Sequence, residues 1–428
     1  MGRPILTAYQ MRSAEAASGA PVDVLMDRAG RALAEAIRRF TGVRPVLFLC
    51  GPGHNGGDGR VAARYLAEAG WPATVAVLGE KSFDDAKAAP VLVDCLFGTG
   101  LSRPLEPAVS ERLCHLAEQA SVVIACDLPS GVRTDDGAIL SSVPRYDMTV
   151  TFGALKPAHR LMPAMEKMGR IVLDRIGIDA NEQWFEIGRP HLPDIAPDAH
   201  KYSRGLVHAL AGTMPGAIAL SARAAQAAGA GYVRISTSLP IEGLPDSIVQ
   251  TGDAQLNDER IGCIVVGPGL GDIPVVLTLS LTSKAPKVID ADAIRLVGEP
   301  ERLKGQDCIL TPHEGEFKAL FGALEGSKPE RAQKAAQACG NVVVYKGPDT
   351  LVAAPDGRIG FAPPAPAWLA SAGTGDVLSG IIAAFRARGM DAFDAACAGV
   401  WVHGRAAEKA GPSMTADTLI DAIPQAMA

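Results

Sequence analysis

Short apolar runs ended by glycine, with helical stretches between them, constrain this chain more than any other feature of its sequence. From Val46 onward VLFLC, ATVAVL, VLVDCLF, VVIACDL and MTVTF follow one another. A run of four to eight apolar residues without alternation leaves no face for water, so a strand made from it must be covered on both sides. Strands of that kind alternating with helices specify a parallel sheet with helices on both faces. The first half therefore reads as a Rossmann-like, doubly wound α/β unit. Ahead of it, residues 5 to 40 read as helical, because Leu25, Ala29, Leu33, Ala36, Ile37 and Phe40 recur at spacings of three and four, with Gly42 as the stop.

The periodicity lapses near residue 179. The stretch that follows carries Pro190, Pro193 and Pro197 and reads as a linker. Beyond it the alternation resumes with LVHALAG, YVRIST, GCIVVGPG, KVIDADA, CILTPHEGE and VVVYKG. A chain of 428 residues also exceeds the roughly 250 to 300 that one hydrophobic core supports. Two α/β domains are expected, 1–194 and 195–428.

Composition excludes several classes of function. A formal net charge of -6 gives no electrostatic footprint for a phosphate backbone, so small molecules rather than nucleic acid are the expected partners. The eight cysteines show no CxxC pair and no metal spacing, and several sit inside apolar runs. They read as buried small hydrophobes in a reducing compartment. No stretch offers about 20 apolar residues without charge, and the N-terminus lacks a cleavage signature. A cytoplasmic protein with no membrane partner, assembled as a homo-oligomer, is expected.

The sharpest local signal is GPGHNGGDG, Gly51 to Gly59, directly after VLFLC and before the helical run RVAARYLAEAG. Glycines admit close approach of backbone to ligand, and a helix N-terminus presents free N–H groups to an anion. The loop also satisfies GxGxxG, with Glu80 where a dinucleotide enzyme places its ribose-binding acid; an oxidoreductase reading stays open on that ground. Asp94 ends VLVD, and Asp127 ends VVIAC before LPSGV. Carboxyl ends of strands line the ligand crevice of an open α/β sheet, so Asn55, Asp58, Asp94, Asp127 and Ser130 are expected to converge there. A carboxylate, an amide oxygen and a hydroxyl suit an alkali or alkaline-earth cation rather than zinc.

Together GPGHNGGDG, VDCLFGTGLSRP, DLPSGV and TFGALKPAH resemble the NAD(P)H-hydrate epimerase family. The resemblance implies a hydrate-binding surface made by His54, Asn55, Gly56, Gly57 and Asp58, by Gly98, Thr99, Gly100, Leu101, Ser102, Arg103 and Pro104, and by Asp127. It implies potassium (K+) held by Asn55, Asp94 and Ser130, and Asp127 as the acid-base residue. Two departures stand out. His54 replaces a common second asparagine, and the stretch between Leu78 and Val91 is short, which puts a peripheral strand or helix in doubt.

In the second half, GTGD at Gly373 to Asp376 opens a helical pattern in which Val377, Leu378, Ile381, Ile382 and Phe385 share a face. N–H groups there would stabilise charge on a transferring phosphoryl group, with Asp376 beside them as general base. GTGD followed by VLSG resembles the ribokinase-like superfamily. HKYSRG, MPGA, GAGAGYV, GPGLG, VIDADA, TPHEGEF, YKGPDT and AGTGDVLSG occur in the order of the ADP-dependent NAD(P)H-hydrate dehydratases. That resemblance implies an α/β/α fold, hydrate contacts at Ala217, Gly269, His313 and Asp376, and nucleotide contacts at Lys346, Gly347, Pro348, Asp349, Thr350 and Gly375. It also implies ADP as phosphate donor and magnesium (Mg2+). The implied whole is repair of hydrated NADH and NADPH: epimerisation of the R and S hydrates, then ADP-dependent dehydration of the S form. A ribokinase-like vitamin or sugar kinase with a non-catalytic first half remains the other reading.

Overall fold

The computed structural model describes residues 2–180 and 183–428. It contains two compact units, one spanning Arg3–Trp184 and the other taking in Phe185–Ala428. The division precedes the expected linker end at 194/195 for a physical reason. Trp184–Glu186 is already a strand, and the Ile187 amide donates to Phe361 O at 2.8 Å inside the second unit.

In the first unit the five anticipated runs form β1 (Val46–Cys50), β2 (Ala73–Val77), β3 (Val91–Cys95), β4 (Val122–Cys126) and β5 (Met148–Phe152). A sixth strand, β6 (Arg170–Asp174), was not anticipated. It is a half-exposed edge strand whose sequence, RIVLD, has charged ends. The order is β2-β1-β3-β4-β5-β6, and every pairing is parallel. Alternate strand residues face opposite layers. Phe48, Val93 and Ile124 pack with helices α1 (Ala8–Ala17), α2 (Val22–Phe40) and α3 (His54–Glu68). Leu47, Leu92 and Val123 pack with α4 (Pro107–Glu118). The expected single helix over residues 5 to 40 is instead α1 and α2, broken where Gly19 adopts φ 68° ahead of Pro21. Between β2 and β3 lies only the single helical turn Lys81–Asp84, which accounts for the shortened stretch.

The second unit holds β7 (Leu206–Leu210), β8 (Tyr232–Ser236), β9 (Ile248–Thr251), β10 (Ile261–Val266), β11 (Lys287–Ile289), β12 (Cys308–Leu310), β13 (Val342–Tyr345), β14 (Leu351–Ala353) and β15 (Ile359–Phe361). Their order is β15-β14-β13-β12-β11-β10-β7-β8-β9. The β13/β14 and β14/β15 pairs are antiparallel and the rest parallel. Helices α5 (Pro215–Ala227), α6 (Glu314–Phe321), α7 (Thr374–Ala387), α8 (Ala392–Ala410) and α9 (Ala416–Met427) belong to this unit. Helix α7 is apolar nearly all round because α5, α8 and α9 enclose it in one core with the sheet. In both units the strand order reverses at one place, between β1 and β3 and between β7 and β10. Loops diverge there and leave a crevice.

Candidate active sites

At the β1/β3 reversal a cavity of about 640 Å³ opens within the first unit. His54, Asn55, Asp58, Gly98, Thr99, Gly100, Leu101 and Asp127 line it, as the motifs led one to expect. A Cβ at Gly98 would lie 3.0 Å from Asn55 Oδ1 and 3.2 Å from Asp127 Oδ2, so these three sites converge closely.

Other expected contacts are placed elsewhere. A Cβ at Gly56 would meet Gly51 O at 1.9 Å, and one at Gly57 would meet Met26 Cε at 2.5 Å. Both glycines let α3 press on the loop and on α2, and neither lines the cavity. Ser102, Arg103 and Pro104 are exposed and also lie outside the lining. Glu80 sits exposed ahead of the Lys81–Asp84 turn, three residues past the end of β2.

Asp127 is held in the left-handed region at φ 66°, an uncommon conformation for a residue with a side chain, in the loop that follows β4. Its Oδ1 takes a 2.5 Å ion pair from Lys156 Nζ and a 2.9 Å hydrogen bond from Thr151, while Thr99 donates to Oδ2. Burial pushes this carboxyl up, but the Lys156 ammonium and these donors outweigh it and hold it well below the usual carboxylate range. His159 accepts from the Lys156 amide at Nδ1, which leaves Nε2 to donate to Asp127 O at 2.9 Å. Burial, reinforced by Lys156, lowers this imidazole to about 3 and keeps it neutral. Lys156, fully buried, and Thr151 were missed by sequence reasoning. The available signal was a lysine and threonines inside the otherwise apolar MTVTFGALKP.

Asp94 and Ser130 do meet, though outside the cavity lining. Asp94 accepts from the Leu96 amide at 3.1 Å, the Ser130 amide at 2.9 Å, Ser130 Oγ at 2.6 Å and Tyr146 OH at 2.6 Å. No cationic side chain is among these partners, and burial raises the carboxyl despite the four donors. Asn55 Nδ2 is buried without a hydrogen-bond partner among the described residues. A buried carboxylate with hydroxyl oxygens from Ser130 and Tyr146 at 2.6 Å and no cationic partner fits a monovalent cation in donor chemistry, whereas no hydrogen bond joins Asp94 to Asn55 among the described residues. Asp94 is equally a structural staple. Asp94→Ala should strand four donors, each costing about 1–3 kcal/mol if left unsatisfied. A large drop in the unfolding midpoint is expected, larger in potassium than in a bulky organic cation, because only the parent keeps the carboxylate that a bound cation would stabilise. Melting curves in the two salts test this, and a parental midpoint in the variant would refute it.

In the second unit, β7 and β10 send their loops to a common point. A Cβ at Gly269, φ 61°, would lie 2.1 Å from Met214 O and 3.0 Å from Ala217 Cβ, so the two expected hydrate contacts adjoin. Asp376 lies in the first turn of α7, half-buried. Burial and then the Asp290 carboxylate push it up to about 7, against the pull of Lys346. Lys346 Nζ pairs with Asp290 Oδ1 at 2.9 Å and reaches Glu316 Oε2 at 3.8 Å. It also lies 3.4 Å from where a Gly375 Cβ would be. Asp290 takes a 2.6 Å hydrogen bond from Ser379 on α7. His313 caps α6 through Nδ1, and its Nε2 faces Glu316 Oε1 at 3.3 Å.

The expected nucleotide segment is partly self-engaged. Thr350 Oγ1 bridges Gly347 N and O, and the Asp349 carboxyl is buried against Lys328 Nζ at 2.5 Å. Asp349 is thus used to fix the loop. Gly347 and Pro348 are exposed. Asp290, Glu316, Ser379 and Lys328 are additional polar groups here, hidden in sequence because VIDADA and TPHEGEF offer several acids each.

Two α/β units, each gathering carboxylates and a lysine, fully buried in the first and partly buried in the second, at the carboxyl ends of its strands, define a bifunctional enzyme for small substrates. The family model described as NAD(P)H-hydrate dehydratase matches residues 207–425. The model described as YjeF-related protein N-terminus matches 22–90 and 78–158, two segments meeting at the shortened stretch. The chain is similar to the bifunctional NAD(P)H-hydrate repair enzyme Nnr of Thermofilum pendens, at 31% identity over 97% of this chain and 94% of that protein. Against Nnr of Escherichia coli K12 the figures are 32%, 90% and 84%. An ADP/ATP-dependent NAD(P)H-hydrate dehydratase from Bacillus subtilis, co-crystallised with ATP/Mg2+, is 31% identical with a TM-score of 0.50, covering 55% of this chain and 93% of its own. A ribokinase-like superfamily protein from Enterococcus faecalis, 23% identical, shares the fold at a TM-score of 0.51, over 55% of this chain and 91% of its own. The chain belongs to the bifunctional NAD(P)H-hydrate repair enzyme family. No helix among the described residues is long and apolar enough to cross a membrane.

Proposed function

We propose that the first unit interconverts the R and S hydrates of NADH and NADPH, and that the second dehydrates the S form with ADP as phosphate donor. The observation that carries this reading is Asp376, a carboxyl raised to about 7 in the first turn of α7, beside Lys346 and Gly375. A base tuned near neutral pH can take the proton from the hydrate hydroxyl. The terminal phosphate of ADP passes to that oxygen, the phosphate leaves as the ring nitrogen's lone pair forms a carbon–nitrogen double bond, and loss of a proton from the neighbouring ring carbon to water then gives the carbon–carbon double bond of NAD(P)H. NAD(P)H, AMP and phosphate are the products. Ala217, Gly269 and His313 position the hydrate; Lys346, Gly347, Pro348, Thr350 and Gly375 meet the nucleotide, and Asp349 acts through Lys328.

Magnesium would supply charge neutralisation between the phosphates and would need only one or two protein carboxylates, for which the acids gathered around Lys346 are the candidates. In the first unit Asp127 is the acid-base residue, and potassium is proposed at Asn55, Asp94 and Ser130. A homo-oligomer is proposed on the helix Pro274–Thr282, which carries no charged residue and leaves Val275 58% and Leu279 48% exposed. A cytoplasmic location suits these cofactor substrates.

The test is chemically hydrated NADH incubated with the protein, with and without ADP or ATP, both epimers being followed by chromatography. Interconversion without nucleotide and loss of S hydrate only with nucleotide are expected. A stable phosphorylated product from a vitamin or sugar would favour the kinase reading instead. The pH dependence follows from Asp376. It acts as a base only when ionised, so kcat/KM for dehydration should rise with pH through about 7 and then level. A rate flat across that range would remove Asp376 from the role.

A further inference from the structure

We propose that Asp58 is a second catalytic acid of the first unit, the group that hands a proton to the departing hydroxyl of the hydrate while Asp127 serves the opposite face. This rests on the epimerase reading above. Asp58 projects from α3 into the cavity wall that Asp127 also lines, yet it is 9% exposed. Its carboxyl makes no hydrogen bond among the described residues. A buried carboxylate without donor or cation is costly, so such a group takes up a proton instead.

The groups facing it reinforce that outcome. They include Asp127 from the loop after β4, Glu15 from α1, Cys50 at the end of β1 and, with opposing charge, Lys156. Burial first, and then the Asp127 and Glu15 charges, push Asp58 up to about 8. Lys156 instead spends its charge on Asp127, 2.5 Å away. One cavity thus holds a carboxylic acid and a carboxylate at neutral pH, the condition for dividing acid and base roles between two like residues.

The chemistry balances. The hydrate carries its hydroxyl on the carbon next to the ring nitrogen. The bond from that carbon to oxygen breaks as Asp58 protonates the oxygen, and water departs while the nitrogen lone pair forms a carbon–nitrogen double bond. The ring atom is then planar. A water on the opposite face adds to it and gives its proton to Asp127, and pocket water returns that proton to Asp58. No oxidant or further reactant is needed.

The experiment compares the parent with Asp58→Asn in the full chain, with nucleotide-dependent dehydration as the control for folding. For the parent, epimerisation above the uncatalysed rate should fall as pH rises through about 8. In the variant kcat should drop about 100- to 10,000-fold with KM little changed, and the alkaline fall should vanish. Parental kcat, a retained alkaline fall, or a loss confined to KM would each overturn the proposal. A readout independent of activity is the infrared difference spectrum, parent minus Asp58→Asn, at pH 7. A protonated-carboxyl carbonyl band is expected, and its absence overturns the proposal even if the hydrate is not the substrate. A parent that shows the band but leaves both epimers untouched would instead refute the epimerase reading.

Discussion

Replacing Asp376 with asparagine should slow nucleotide-dependent dehydration about 100- to 10,000-fold, the usual loss for a positioned general base. The substitution keeps the shape and the first-turn position in α7, and it retains an oxygen and an N–H for the surrounding groups. It removes basicity, which burial and the Asp290 carboxylate place near pH 7. Substrate should still bind, so the loss belongs in kcat, and the rise of rate with pH should disappear with it. Epimerisation should persist, because Asp127 lies in the other compact unit and shares no partner with Asp376 among the described residues. One preparation serves both assays, with circular dichroism to show folding. Near-parental dehydration would exclude Asp376 as the base. Loss of both activities in a folded sample would argue against two separate sites.

What the sequence made legible is what local chemistry dictates. VLFLC and VVIAC can only be strands covered on both faces, and the carboxylates ending VLVD and VVIAC must sit at strand C-termini, where a crevice opens. The anticipated runs became the parallel strands of each sheet, with β2 alone of the first five at an edge. The strands that escaped notice are β6, with its charged ends, and β9, both at sheet edges, and the antiparallel β14 and β15, which are buried but only three residues long, too short to show a pattern. Edge strands need no continuous apolar run because only part of their surface is covered. The glycines of GPGHNGGDG illustrate a second limit. A glycine reads the same whether it yields to a ligand or to a neighbouring helix, and only the neighbours of a missing Cβ separate Gly98, against Asn55 and Asp127, from Gly57, against Met26.

The same limit hid Lys156, whose role depends on a partner 29 positions away in sequence. A lysine in an apolar run gives no sign of which carboxylate it meets. Among the described residues it is the cation paired with Asp127, and Lys156→Met should therefore have two separable effects. Taking away one partner of a buried pair leaves an uncompensated charge, a loss of about 3–5 kcal/mol in stability. Asp127 escapes that cost only by taking up a proton, and then it is no longer the base that epimerisation needs.

The pH dependence follows from the signs. In the parent the carboxyl is held below its unfolded value, so the pair's stabilisation is present above pH ~4 and lost only as pH falls through the lowered folded value. In Lys156→Met the folded carboxyl is raised instead, so the variant weakens as pH climbs above ~4. The gap between the two should widen from acid toward neutral pH. Adding Asp127→Asn removes the stranded charge and should restore most of the stability while epimerisation stays low. Denaturant titrations of the parent, both single variants and the double variant at pH 4 and pH 7 give the coupling directly. A gap equal at both pH values, or no recovery in the double variant, would mean that the lysine's alkyl stem rather than its charge stabilises this site.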